Sequence, residues 1–139
     1  VHGAVLGKRG IAAQIESWCE SGFVERLFDQ LTGRGFHVYL TADHGNVEAV
    51  GQGRPRQGVA AETRGERVRT YRSEVLAADS AASNINSFRL KMAGLPDDYL
   101  PLFAGDRKAF MPAGEAAVVH GGISIEELLV PFVKISKPD

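Results

Sequence analysis

One apolar run with an abrupt end organises the sequence: Val38-Tyr39-Leu40-Thr41-Ala42-Asp43-His44-Gly45-Asn46. Strands of this kind, when an amphipathic helix precedes them, belong to α/β sheets, whose ligands lie beyond the carboxyl ends of the strands. Asp43 and His44 offer good ligands for Zn²⁺ or Mn²⁺, and Gly45 lets the backbone turn so that the two side chains converge. The stretch therefore predicts an α/β fold and half of a metal site.

The bulk composition limits the class of protein. A chain of 139 residues suffices for one domain, or part of one, with a real core. The net charge of −1 excludes a general attraction to nucleic acid or membrane surfaces. No apolar run approaches the roughly 20 residues of a membrane span, and the single cysteine, Cys19, fits a reducing cytoplasm. We expect a cytoplasmic protein without membrane contact and, since the first residue is Val1, a fragment of a longer one.

Two amphipathic helices are predicted before the central strand. Ile11, Ile15, Trp18 and Cys19 keep one face of the first helix apolar, so Trp18 and Cys19 are expected in the core. A second helix, capped by Ser21, should end at the glycines that follow residue 32. A strand over residues 36–42 follows, and this order of helix and strand is half of a doubly wound unit.

The segment after Asn46 changes character. Residues 51–58 lack an apolar period and should form an exposed loop. Charged and apolar residues alternate over 66–71, which predicts a strand with one solvent-exposed face. Ser73 can cap a brief helix, and the small polar residues 79–86 should form a loop.

The last third predicts a hairpin and one more strand. The hairpin pairs residues 108–111 with 116–119 and ends at His120-Gly121-Gly122. Ser124 and Glu127 have the spacing of a capping box, which starts a single helical turn. Residues 128–135 are predicted to form a final apolar strand. Because Pro131 cannot donate a hydrogen bond to a neighbouring strand, this strand should lie at a sheet edge or bend.

The strongest local charge asymmetry is an arginine-rich stretch. Six arginines and two glutamates lie from Arg54 to Arg72, a local excess of +4. One interpretation is a solvated loop and strand face. The other is an electropositive rim in which Arg64, Arg67 and Arg69 grip a phosphate or a nucleic-acid backbone.

Three of the four histidines stand at positions that suit ligands. His44 follows Asp43 at the end of a strand, His120 follows an apolar strand, and His2 lies in a glycine-flanked segment before the first helix. His37 sits beside Phe36 without a carboxylate neighbour, so we interpret it as structural.

These motifs resemble a known family. The turn at residues 41–46, the later His120-Gly121-Gly122-Ile123-Ser124-x-Glu126-Glu127 and Val130-Pro131-Phe132 are similar to the C-terminal part of the alkaline-phosphatase superfamily, which includes sulfatases and cofactor-independent phosphoglycerate mutases. Gly51-x-Gly53-x-Pro55 and Arg64-Gly65-x-Arg67-Val68-Arg69-x-Tyr71 resemble more closely the PglZ domain of bacterial phage-exclusion (BREX) systems.

The resemblance implies a fold, a metal centre and a missing part. The fold would be an alkaline-phosphatase-like sheet flanked by helices, with residues 1–139 as one C-terminal fragment and a Gly/Arg-rich insertion at about 47–72. Two divalent metals, Zn²⁺ or Mn²⁺, are implied: Asp43 and His44 hold one, and His120 with His2 holds the other. The nucleophile and further aspartates would lie upstream, so we expect the isolated chain to bind metal weakly or not at all and to be inactive.

Three functions follow from the resemblance and the charge. The first is part of a metal-dependent phosphohydrolase, a phosphomonoesterase or phosphodiesterase of phage defence, whose partners are a phosphate ester and other defence proteins. The second is a non-catalytic module with a decayed metal site that binds nucleic acid or a protein partner. The third is an isomerase of the phosphoglycerate-mutase type, against which the 51–65 segment and the arginine strand argue.

Overall fold

A computed structural model describes residues 7–55 and 62–137. These residues form four helices and nine strands, which confirms a mixed α/β class. In chain order they are α1 (Lys8–Glu20), α2 (Phe23–Gly33), β1 (Val38–Thr41), β2 (Val47–Gly51), β3 (Glu62–Arg64), β4 (Val68–Tyr71), α3 (Glu74–Ser83), β5 (Ser87–Arg89), β6 (Leu100–Ala104), β7 (Lys108–Ala109), β8 (Ala116–Val119), α4 (Ile125–Leu128) and β9 (Phe132–Ile135). The described strands form three small sheets of two, three and four strands.

The first sheet joins the central strand to the last one. β1 and β9 pair antiparallel, from Val38 opposite Ile135 to Thr41 opposite Phe132. Both strands are shorter than predicted. At β9 the cause is local, because α4 continues to Leu128 and Pro131 has no N–H to donate to a ladder.

The second sheet is organised around β2, which the sequence prediction missed. β2 pairs in parallel with β7 and antiparallel with β8. Its burial alternates, so that Val47 and Ala49 face a small core with Ala109, Met111 and Val119. The predicted hairpin of β7 with β8 is therefore wrong, because β2 lies between them.

The third sheet is antiparallel, in the order β3-β4-β6-β5, and α3 packs on it. Tyr71, Leu102 and Phe110 are its large core residues. The predicted wet face of the strand over 66–71 is wrong, since every residue of β4 is buried between two neighbouring strands. Ser73 occupies the predicted N-cap position of α3, but its side chain makes no capping hydrogen bond.

α3 also runs to Ser83, into the segment predicted as a loop. Its small residues Ala77 and Ser80 are buried and let the helix approach the sheet closely.

The apolar faces of the two helices before β1 are only partly covered. α1 packs on α2 and α2 approaches β1, but no residue of α2 is buried. Trp18 is 54% exposed and Cys19 is exposed, so their predicted core positions are wrong within the part of the chain that the structure describes. Among residues 7–55 and 62–137, none of the helices has both the length and the apolar character that a membrane crossing requires.

The end of β2 offers a test of this packing. A Cβ atom at Gly51 would lie 1.9 Å from the Pro112 carbonyl oxygen, so Gly51→Ala must displace the backbone after β7. We expect it to lower the free energy of unfolding by about 1–3 kcal/mol. At Gly33, in the last turn of α2, a Cβ meets no atom within 4 Å, so Gly33→Ala should be neutral or slightly stabilising. Urea unfolding of both variants checks the contrast, and equal effects would contradict the register of β2.

Candidate metal centre

The two predicted histidine turns meet because the strands around them are paired. The chain passes from β1 to β2 through Asp43-His44-Gly45, and from β8 towards β9 through His120-Gly121-Gly122. β1 pairs with β9, and β2 pairs with β8. Both turns therefore lie between these two pairs of strands. The rings of His44 and His120 stack there, with centroids 4.0 Å apart and planes 17° apart. The structure thus brings together imidazoles from mid-chain and from near the tail.

Local hydrogen bonds orient the first turn. The His44 Nδ1–H donates to the Gly45 carbonyl oxygen at 2.7 Å, because a carbonyl can only accept. In the neutral ring this leaves the lone pair on Nε2, which lies 3.8 Å from the Asp43 carboxylate. A carbonyl partner on the opposite ring nitrogen is the usual arrangement behind a metal-binding imidazole. The Asp43 side chain is 87% exposed, so it is accessible to a ligand.

The stacked arrangement limits how metal ions could be shared. Nitrogen lone pairs lie in the ring plane, and the two planes are close to parallel, so one ion cannot lie in both. The stacked rings therefore suit one ion each rather than one shared ion. The donors, one carboxylate and two imidazoles, have the chemistry that Zn²⁺ or Mn²⁺ prefers. The residues present therefore fit the implied group in part.

The fit is partial because these three donors do not form one complete metal-binding group. Within residues 7–55 and 62–137, no group of three or more His, Cys, Asp or Glu side chains could hold a metal ion. His2, the fourth predicted ligand, lies outside the described residues. His37 lies one residue before β1 and is exposed.

A buried ion pair lies beside the His120 turn. Arg67 and Glu127 are each 3% exposed, with the Arg67 Nε 3.3 Å from the nearer carboxylate oxygen. The Glu127 carboxylate also accepts hydrogen bonds from the Gly122 N–H and the Ser124 hydroxyl, both at 2.8 Å. The predicted capping box at Ser124 is confirmed. Glu127, the glutamate of this capping box, therefore also bonds to Arg67 and Gly122, which are not part of the box.

Arg67 is anchored on its other side by backbone carbonyls. Its Nη1 donates to the carbonyl oxygens of Lys108 and, at 3.4 Å, Gly105, which lie between β6 and the end of β7. Sequence reasoning missed this pair, because the partners are 60 positions apart and no local pattern links them.

The exposure predicted for the arginine stretch is wrong at two positions. Arg67 and Arg69 are 3% and 1% exposed. Arg69 donates to the Glu66 carboxylate at 2.9 Å and to the Phe110 carbonyl at 2.8 Å. For Arg64 the structure describes only the backbone, in β3. Phosphate contact by these three arginines stays a prediction, while the observed contacts give Arg67 and Arg69 a structural role.

The pKa of Glu127 is set by opposing effects. Burial disfavours the charged carboxylate and alone would raise its pKa. Hydrogen bonds from Gly122, Ser124 and Arg67, together with the charge of Arg67, outweigh burial and lower the pKa of Glu127 below its ordinary value of 4.5. A carboxylate of this kind stabilises the fold above pH 4.5, and its contribution is lost as the pH falls through the lowered pKa.

A cavity elsewhere does not coincide with these residues. It has a volume of about 470 Å³ and lies beside β5, where Arg89, Met92 and Tyr99 are among its lining residues. None of the predicted metal ligands lines it. The chemistry of the chain therefore points to the histidine pair, and we assign no role to the cavity.

Comparison with known proteins gives one match. A family model described as PglZ, a BREX system alkaline phosphatase-like domain, matches residues 3–135, nearly the whole chain. No curated protein and no solved structure matches.

Acid unfolding tests the buried carboxylate. At neutral pH we expect Glu127→Gln to lower the free energy of unfolding by about 2–3 kcal/mol, since charge-assisted hydrogen bonds are lost. At an acid pH below the lowered pKa of Glu127 the difference from wild type should shrink, because wild-type Glu127 is then protonated as well. Urea titrations at both pH values measure this. Glu115→Gln, at an exposed residue, is the control and should change little, whereas a Glu127 effect of equal size at both pH values would contradict the proposed linkage.

Proposed function

Because the chain belongs to the PglZ family of BREX alkaline phosphatase-like domains, we propose that it supplies part of the metal centre of a phosphohydrolase. The substrate class is a phosphomonoester or phosphodiester, and the setting is bacterial phage defence. The stacking of His44 on His120, at the meeting of two turns that carry ligand-type residues, is the observation that supports this function most directly.

Each side chain has a separate role in the proposal. Asp43 and His44 hold one divalent cation, and His120 holds the other, with His2 assigned to the same ion as His120. When bound, such cations would stabilise the charge that develops on the attacking and leaving oxygens of a displacement at phosphorus. The Gly45 carbonyl keeps the lone pair of His44 on Nε2, so the ring presents a ligand nitrogen without a change of tautomer.

The proposal requires groups from another part of the polypeptide. An attacking hydroxyl and additional carboxylates are assigned to the sequence upstream of Val1, as the family resemblance implies. We also propose other phage-defence proteins as partners and the cytoplasm as the location, in keeping with a single cysteine.

Hydrolysis by the complete gene product that contains this chain tests the function. With Zn²⁺ or Mn²⁺ present, we expect cleavage of p-nitrophenyl phosphate or its bis ester. Asp43→Ala and His120→Ala should each reduce kcat/KM at least about 100-fold, because each removes a ligand of the charge-stabilising ions.

His37→Ala provides the matched control, since it removes an exposed imidazole outside the histidine pair. It should leave hydrolysis and its metal dependence unchanged. Full activity in Asp43→Ala or His120→Ala, or hydrolysis that persists after chelation, would refute the proposed role of these residues.

A further inference from the structure

Glu127 contacts both histidine turns with different atoms. Its backbone carbonyl accepts a hydrogen bond from the Gly45 N–H at 2.9 Å, one residue after His44. Its carboxylate accepts from the Gly122 N–H at 2.8 Å, two residues after His120. We propose that Glu127, fixed by Arg67, is the positioning residue that sets the stacking of His44 on His120. The catalytic meaning of this role rests on the proposed function, but the positioning itself does not.

Burial makes the position of the carboxylate specific. A buried charge without partners is strongly unfavourable, so the carboxylate must stay where its donors converge. Those donors are Gly122, Ser124 and Arg67. Arg67 is itself anchored to carbonyls of the segment around β7. Through Arg67 and Glu127, the His120 turn is therefore held against a part of the fold that contains neither histidine.

The backbone of the turn that carries His44 is also held tightly against residues 126 and 127. A Cβ atom at Gly45 would lie 1.9 Å from the Glu126 carbonyl oxygen, so the two backbones are in direct contact. The Gly45 N–H to Glu127 bond holds them at that separation. A shift of residue 127 would therefore move both turns, and it would change the separation of the two rings.

Capping of α4 alone does not account for these contacts. A capping box needs only the exchange between Ser124 and Glu127, which is present. The bonds to Gly122 and Arg67 lie outside that exchange. α4 has only four residues, Ile125–Leu128. Capping so short a helix does not require a buried ion pair.

Nuclear Overhauser contacts between the two imidazoles measure the positioning directly. In the labelled full chain without metal, wild type should show cross-peaks between ring protons of His44 and His120. In Glu127→Gln we expect these cross-peaks to be lost while the amide spectrum stays dispersed, because the charge that fixes residue 127 is gone.

Ser124→Ala is the control that separates capping from positioning. It removes the hydroxyl donor but keeps the Arg67 and Gly122 bonds, so the inter-ring cross-peaks should remain. Gly122→Ala provides a second route in case Glu127→Gln fails to fold: its Cβ would lie 2.5 Å from Glu127 Oε2 and displace the carboxylate with its charge intact. We expect it to lose the cross-peaks as well.

Two results would overturn the proposal. One is a folded Glu127→Gln or Gly122→Ala variant that keeps the inter-ring cross-peaks. The other is their loss in Ser124→Ala to the same degree as in Glu127→Gln, which would assign Glu127 to capping alone. Since neither metal nor activity enters the measurement, a failure of the proposed hydrolase function would leave it unaffected, and the two ideas can fail separately.

Discussion

The carboxylate of Glu127 and the guanidinium of Arg67 are buried together, and three parts of the chain meet at this pair. Taking two charges out of water costs several kcal/mol each, and attraction repays that cost only when further hydrogen bonds satisfy both groups. Here Gly122 and Ser124 donate further hydrogen bonds to the carboxylate, and the carbonyls of Gly105 and Lys108 accept hydrogen bonds from the guanidinium. The partners of the pair therefore define one arrangement of the surrounding turns.

The small size of the sheets explains why such a pair is needed. β1 belongs to a two-stranded sheet and β8 to a three-stranded one, while Arg67 directly precedes β4 of the four-stranded sheet. The two histidine turns lie in the two connections between the two-stranded and the three-stranded sheet. No single sheet fixes both turns, so side-chain and backbone bonds to residue 127 take over that task. A two-stranded sheet is marginally stable by itself, which makes such bonds between the sheets more important.

Local patterns predicted the turn at Asp43-His44-Gly45 and the cap at Ser124, whereas the meeting of His44 with His120 was implied only by the family resemblance. The structure has the turn, the ring stacking and the capping box, and metal binding by these residues stays a prediction. β2 was missed because its Val47–Gly51 run is short and holds an exposed glutamate. The burial of Arg67 depends on a partner 60 positions away. Trp18 was placed in the core because an amphipathic pattern shows which face is apolar, but not whether another element covers it.

Imidazole nitrogen resonances recorded during a Zn²⁺ titration of the complete gene product test the joint metal centre most directly. Ring nitrogens respond strongly to metal binding, and weak sites are detected when Zn²⁺ is in excess. We expect the resonances of His44 and His120 to shift together as Zn²⁺ is added, while those of His37 stay unchanged. A response of one ring without the other, or of neither ring at saturating Zn²⁺, would contradict a metal centre shared between the two turns.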